Sequence, residues 1–316
     1  LAAYLGAARA VRCKPEQIFV VSGAQQALDL VARVLLDPGD AVWVEEPGYP
    51  GLIGALLASG AALVPVPVDD AGIMVEAGRG IAPAARMACV SPSHQFPLGV
   101  TMSLGRRLAL IEWAREADAF ILEDDYDSEY RYTGRPLAAL QGLDADGRVI
   151  YVGTMSKVMF PALRLGYMVV PEHLVPAFAA IRRLTDNHPS TLVQPALAEF
   201  IKDGSLTAHI RRMRALYAER QALLLEAAAR HLGDRLTLKP AEAGMHLVGY
   251  LPPCTDDRAI AARARERGVE VTPLAALYQG NGDRSGLLLG YAGLTASEIE
   301  NGMRALARCF TDALAA

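Results

Sequence analysis

Lys157, in Gly153-Thr154-Met155-Ser156-Lys157, follows the strand-like run Val149-Ile150-Tyr151-Val152, and Arg164 stands seven residues further on. A second strand-like run, Ala119-Phe120-Ile121-Leu122, ends in Glu123-Asp124-Asp125-Tyr126. An amine, a carboxylate and a guanidinium at strand ends suit one kind of chemistry. The amine condenses with an aldehyde to give a Schiff base, the carboxylate keeps a pyridinium nitrogen protonated, and the arginine neutralises a phosphate. Pyridoxal phosphate (PLP) carries all three groups. The competing expectation is a solvated lysine beside an acidic turn, because charged side chains are ordinarily exposed. The other strand ends decide between the two.

Strand-like runs alternate with helical patterns along the first two thirds of the chain. Residues 18–21 precede a helical pattern over 25–36, and 41–44 precede one over 49–59. Further strands are read at 62–66, 87–90, 120–122, 149–152 and 165–170, with a helix over 104–117. Short apolar strands separated by helices predict an α/β fold, a mainly parallel sheet with helices on both faces. Ligands of such a sheet sit at the carboxyl ends of its strands. Ser22-Gly23-Ala24-Gln25, Glu46-Pro47-Gly48-Tyr49, residues 91–99, Asp124 to Tyr126 and Thr154 to Lys157 all fall there.

After a long helical stretch over 206–231 the pattern changes. Strands are read at 246–251 and 287–291, and helices at 256–268 and 296–314. The organisation expected is a remnant of an N-terminal helical arm (1–14), a large cofactor-binding α/β domain (15–205), and a connecting helix with a small C-terminal α+β domain (206–316). Leu1-Ala2-Ala3-Tyr4-Leu5 reads as the middle of an amphipathic helix with no cap before it, so the chain is expected to be part of something longer.

Each strand end also has an unremarkable explanation. Small residues at Gly23 and Ala24, before a helix, let backbone N–H groups reach an anion; Ser22 as an ordinary N-cap is the alternative. The Tyr49 ring could stack on a planar heterocycle or pack half-buried against a strand. His94, in Ser91-Pro92-Ser93-His94-Gln95-Phe96-Pro97-Leu98-Gly99, has no carboxylate or second histidine at metal-ligand spacing, which favours a hydrogen-bonding role. The acidic run 123–127 could be a Mg²⁺ cluster, but that would leave Lys157 and Arg164 without a role.

Composition narrows the class. The 316 residues are 52% hydrophobic and 21% charged, with a net charge of −4, ample for a core and unlike a nucleic-acid-binding domain. The four cysteines, Cys13, Cys89, Cys254 and Cys309, have neither metal nor redox spacing. Reduced thiols in a cytoplasmic protein are expected. No apolar run is long enough for a membrane span.

Across essentially its whole length the chain resembles fold-type I PLP enzymes, the aspartate-aminotransferase superfamily. Within it the chain is most similar to the aminotransferase-like domain of MocR-type regulators of the GntR family. The stretches that carry this are 11–18, 22–30, Asp37-Pro38-Gly39-Asp40, Glu46-Pro47-Gly48-Tyr49, Pro92-Ser93-His94-Gln95-Phe96-Pro97, 123–130, and Thr154 through Tyr167. The resemblance implies that Lys157 forms the Schiff base, Asp124 pairs with the pyridinium nitrogen, Tyr126 bonds the ring hydroxyl and Tyr49 stacks on the ring. It implies that Gly23, Ala24, Gln25, Thr154, Ser156 and Arg164 hold the phosphate, with His94 close to the cofactor. It further implies a homodimer.

Three positions depart from the aminotransferase pattern. Phe96 stands where an asparagine usually bonds the ring hydroxyl, and Leu288 where an arginine usually grips the substrate carboxylate. Gly51 stands where some amino-acid-sensing members carry arginine. A carboxylate without a bidentate partner loses a strong charge-assisted contact, although Arg284 is near enough in sequence to substitute. The expected function is a sensor: a PLP-binding effector domain whose winged-helix DNA reader lies outside this chain, responding to an amine, an amino acid or PLP itself. The alternative is a competent aminotransferase acting on an amino acid.

Overall fold

The computed structural model describes residues 1–134, 137–280 and 282–311. The chain divides into two compact units, the larger formed by Leu1–Gln95, Val100–Glu129 and Arg135–His209. Its elements in order are α1 (Ala2–Arg9), β1 (Ile18–Val21), α2 (Ala24–Leu35), β2 (Ala41–Glu46), α3 (Pro50–Ala58), β3 (Ala62–Asp69), β4 (Gly72–Ile73) and α4 (Val75–Ile81). Then come β5 (Met87–Val90), α5 (Leu104–Glu116), β6 (Phe120–Asp125), β7 (Val149–Thr154), β8 (Gly166–Val169), α6 (Val175–Thr185) and α7 (Gln194–Lys202). Helix α8 (Ser205–His231) follows and runs on into the second unit.

These strands form one eight-stranded sheet in the order β1-β8-β7-β6-β5-β2-β3-β4. The pairs from β3 through β2, β5 and β6 to β7 are parallel; β8 is antiparallel to both β7 and β1. A parallel return needs a crossover of about a dozen residues or more, usually an α-helix; the short link from β7 to β8 holds only a 3₁₀ turn at Pro161–Leu163, and β8 doubles back. Strand β1 therefore runs with β7, and the carboxyl ends of β1, β2, β5, β6 and β7 share one edge.

Side-chain alternation splits the core into two layers. Val42, Val44, Met87, Cys89, Leu122, Ile150 and Val152 face one side, against Leu28, Val31 and Phe178 of α2 and α6. Trp43, Ala88, Val90, Ile121 and Val149 face the other, against Leu110 and Trp113 of α5. Both faces are buried, which is why these strands read as unbroken apolar runs.

The smaller unit comprises Phe96–Gly99, Tyr130–Gly134 and Ile210–Ala316. Its elements are β9 (His246–Tyr250), α9 (Asp257–Glu266), β10 (Thr272–Pro273), β11 (Gly286–Gly290) and α10 (Ala296–Thr311). The three strands pair antiparallel in the order β10-β11-β9, and Leu247, Leu287 and Leu289 pack on Ile260, Ala264, Ile299 and Leu306 of α9 and α10. The expected continuation of the last helix to 314 lies outside the described residues. Among them no helix is long and apolar enough to cross a membrane, and all four cysteines are free thiols.

Candidate functional site

Strand β6 sorts its terminal carboxylates by alternation. Phe120 and Leu122 face the α2 side of the sheet, so Asp124 faces it too. Its Oδ1 is buried without a hydrogen-bond partner. Glu123 and Asp125 point to the other side. Glu123 accepts from the backbone N–H groups of Leu140 and Gln141, both at 2.8 Å. Asp125 accepts from Arg9 Nε at 2.8 Å and from the Tyr151 hydroxyl at 2.5 Å. Asp127 Oδ2 lies 3.0 Å from His94 Nδ1, which also lies 3.0 Å from the Tyr126 hydroxyl. The carboxylates of 123, 125 and 127 thus turn to separate partners, and Asp124 alone of the four has none among the described residues.

The end of β1 supplies an anion cradle. The N-cap of α2 is Gly23, not Ser22, and no side chain caps it, which leaves the first N–H groups of a twelve-residue helix directed outward. Gly23 has φ +97°, accessible to glycine and strained for a residue with a Cβ. A Cβ there would also lie 3.4 Å from the Arg164 guanidinium, and one at Gly166 would lie 2.9 Å from the Gly23 carbonyl carbon. Arg164 donates to the Ser22 carbonyl at 3.0 Å, and the Gln26 side chain accepts from Ser22 N–H at 2.7 Å. Gln25 instead ties down the next loop, donating to the Gly51 carbonyl at 2.7 Å. From the end of β7, Thr154 Oγ1 accepts from Ser156 N–H at 3.1 Å, and Ser156 Oγ is buried without a partner. Lys157 follows in the same turn, exposed.

Tyr49 caps α3 at the end of β2. Burial raises its phenol, the Asp124 carboxylate adds to the rise and Arg164 opposes it, so the ring feels both the carboxylate and the guanidinium. A Cβ at Gly51 would meet the Tyr49 ring at 2.5 Å and Gln25 Oε1 at 2.6 Å. The glycine at 51 is therefore matched to the position of Tyr49, and an arginine there would require that ring to move.

Burial dominates the electrostatics. It raises Asp124 to about 7, helped by Asp125 and Asp127 and opposed by Lys157. It raises Glu123 and Glu129 to about 7 and Glu45 to about 8, with neighbouring carboxylates adding to each. A carboxyl raised in the folded state holds its proton where the unfolded chain has already lost it. Stability then falls as pH rises from the ordinary carboxyl range, near 4, through about 8. The denaturation midpoint of the cofactor-free protein is expected to drop between pH 5.5 and 8.5 (on the order of the span those shifts set), and a pyridinium donor opposite Asp124 should flatten the drop. Midpoints in urea across that window, with and without PLP, check this; a midpoint that rises would contradict it.

The expected residues from five strand ends thus share one edge of the larger unit. Three contributors carried no role in the sequence reading. Arg9 lies on α1, more than a hundred residues from Asp125. Asp127 lies within the acidic run 123–127, and its partnership with His94 spans 33 residues. Glu45 accepts from Ser91 N–H and the Gln95 amide through one oxygen, with the other buried and unpartnered. None of the three has a local signal beyond a charge at the end of an apolar run. In the smaller unit Phe96 and Leu288 belong to one apolar cluster with Leu98, Val248, Leu274 and Leu277. Arg284 is exposed, lying over the Tyr250 ring at 5.8 Å beside Asp283.

A family model, aminotransferase class I and II, matches residues 1–306. The probable rhizopine catabolism regulatory protein MocR of Rhizobium meliloti is 45% identical over 98% of this chain. An uncharacterised HTH-type transcriptional regulator of Bacillus subtilis, YdeL, is 39% identical over 97%. The chain spans only 62% and 65% of the length of these two curated relatives. Among solved structures, the kynurenine aminotransferase of Pyrococcus horikoshii in complex with PMP is 31% identical with a TM-score of 0.91, covering 100% of this chain and 80% of the other.

Proposed function

The chain belongs to the class I and II aminotransferase family, with the fold of a fold-type I PLP-dependent transferase and pyridoxal 5′-phosphate as cofactor, and we propose that it is the effector domain of a MocR-type regulator of the GntR family. One observation carries this reading. The candidate cofactor residues stand together on one sheet edge, whereas the position expected to grip a substrate carboxylate is Leu288, half-buried in an apolar cluster. The residues that would hold PLP are present, and a leucine stands where an aminotransferase would grip an amino acid's carboxylate.

The residues present fit the cofactor. Buried Asp124 Oδ1 and Ser156 Oγ await partners, and the uncapped α2 N-terminus with Arg164 beside it suits a phosphate. When bound, PLP supplies an aldehyde and an electron-accepting ring. Lys157 presents the amine, Asp124 accepts from the ring nitrogen, Tyr126 donates to the ring oxygen, and Tyr49 covers the ring. Gly23, Ala24, Gln25, Thr154, Ser156 and Arg164 hold the phosphate.

The regulator reading rests on two of the relatives: the Rhizobium meliloti and Bacillus subtilis proteins are named as regulators and are longer than this chain. DNA is then contacted through a separate domain, and the effector is an amine, an amino acid or PLP itself. Binding would bias the geometry of a cytoplasmic homodimer, and so of its DNA readers. The likeness to the kynurenine aminotransferase favours a second reading, complete transamination.

One titration separates the two. The PLP-loaded protein is challenged with amines, amino acids and then a keto acid while its visible absorbance is followed. A band that shifts with amines but never passes to the pyridoxamine form supports the effector domain. Conversion to pyridoxamine, reversed by the keto acid, would make the protein an aminotransferase. No visible band at all would remove the cofactor from both readings.

A further inference from the structure

We infer that Asp127 is a positioning residue for the cofactor ring: through His94 it keeps the Tyr126 hydroxyl proton available to the ring oxygen. The inference rests on the PLP reading above and adds a regulator of the same site.

Two groups converge on one nitrogen. His94 Nδ1 is 3.0 Å from Asp127 Oδ2 and 3.0 Å from the Tyr126 hydroxyl, and the histidine and aspartate side chains are each 1% exposed. Nδ1 carries either a hydrogen or a lone pair. A lone pair would face a carboxylate oxygen at hydrogen-bond distance with no proton between them, a costly repulsion in a dry site. Asp127 therefore fixes a hydrogen on Nδ1, in the neutral ring and in the imidazolium alike. An Nδ1 that donates cannot also accept from Tyr126, so the tyrosine proton is directed away from His94.

The phenol keeps that proton. Burial raises Tyr126 well above the ordinary tyrosine value, and the carboxylates of Asp127, Asp124, Glu45 and Asp125 all add to the rise. Tyr126 directly follows the strand that presents Asp124, so one strand end carries both ring contacts. Its role is heavier here than in aminotransferases, since the position of their second ring-oxygen donor is Phe96, which has no donor to offer. Without Asp127, Nδ1 is free to lose its hydrogen and accept from Tyr126, and the ring oxygen loses its donor.

The test uses the PLP-loaded protein and reads the pH midpoint of its visible band. A donor on the ring oxygen favours the deprotonated form, in which that oxygen carries more negative charge, so losing the donor moves the midpoint to higher pH. Asp127→Ala is expected to raise it by about one pH unit, a tenfold change in proton affinity. Tyr126→Phe should raise it similarly, and the double variant no further than Tyr126→Phe alone. A wild-type midpoint in Asp127→Ala, or additive shifts, would overturn the proposal while leaving the cofactor reading intact. No band in the wild-type protein would overturn both.

A second measurement needs neither the variant's folding nor the cofactor. Nitrogen-15 NMR of the cofactor-free wild-type protein, with His94→Gln to assign the signal, should show a protonated Nδ1. An unprotonated Nδ1 would overturn the proposal.

Discussion

Arg9→Ala is expected to destabilise the larger unit by about 3–5 kcal/mol, the usual cost of stripping one partner from a buried ion pair. The guanidinium is 4% exposed and bonded through all three nitrogens: Nε meets Asp125 at 2.8 Å, one terminal nitrogen meets Ser93 Oγ at 2.6 Å, and the other meets the Leu137 carbonyl at 2.5 Å. Its removal leaves Asp125 beside Glu123, Asp124 and Glu129 with the nearest buried cation gone; Arg9 opposes the upward shift of both Glu123 and Glu129. Arg9→Lys restores a charge but not a planar three-way donor, so it should recover less than the whole loss. Urea denaturation of the cofactor-free protein, followed by a probe in the larger unit, measures it. A loss below about 1 kcal/mol would place Arg9 with solvated pairs such as Lys14–Glu172, whose partners are 64% and 71% exposed and which contribute little.

The same ion pair explains what the sequence could and could not reveal. Strand β5 matches its expected limits, Met87 to Val90, and α8 begins within a residue of its expected start, because a run of buried apolar residues and a long helical period are local signals. Helix α4 was missed: two of its seven residues are glycine, Gly78 and Gly80, and Gly78 is there because the Trp43 ring lies 2.8 Å from where its Cβ would be. Helices α6 and α7 both have proline in their first turn, which reads as a break as readily as a start. The candidate cofactor residues are legible because they close strands, and a strand end needs no long-range information. Arg9 with Asp125, and His94 with Asp127, were not, because such a pair exists only once distant elements have docked. The choice of Gly23 over Ser22 as helix cap was hidden too, since both residues suit the position and only the approach of Gly166 and Arg164 decides.

Adjacent aspartates should respond in opposite ways. Asp124→Ala is expected to weaken PLP binding by about 2–5 kcal/mol, the cost of truncating one member of a buried charged pair, or roughly thirtyfold to a few thousandfold in affinity. It should leave the cofactor-free protein at least as stable as before, because a buried carboxyl with an unpartnered oxygen is removed. Asp125→Ala strands Arg9 and the Tyr151 hydroxyl, so the cofactor-free protein should lose about 3–5 kcal/mol, with a smaller loss of PLP affinity once binding is measured under folded conditions. Alternation along β6 produces the crossover: residues 120, 122 and 124 share one face of the sheet, and 123 and 125 the other. Equilibrium PLP titrations and urea midpoints on the two variants give four numbers. If affinity falls equally in both, the face assignment of β6 is wrong. If stability falls equally, Asp124 has a partner that its buried, unpaired oxygen does not disclose, and the pyridinium nitrogen would have to be held elsewhere.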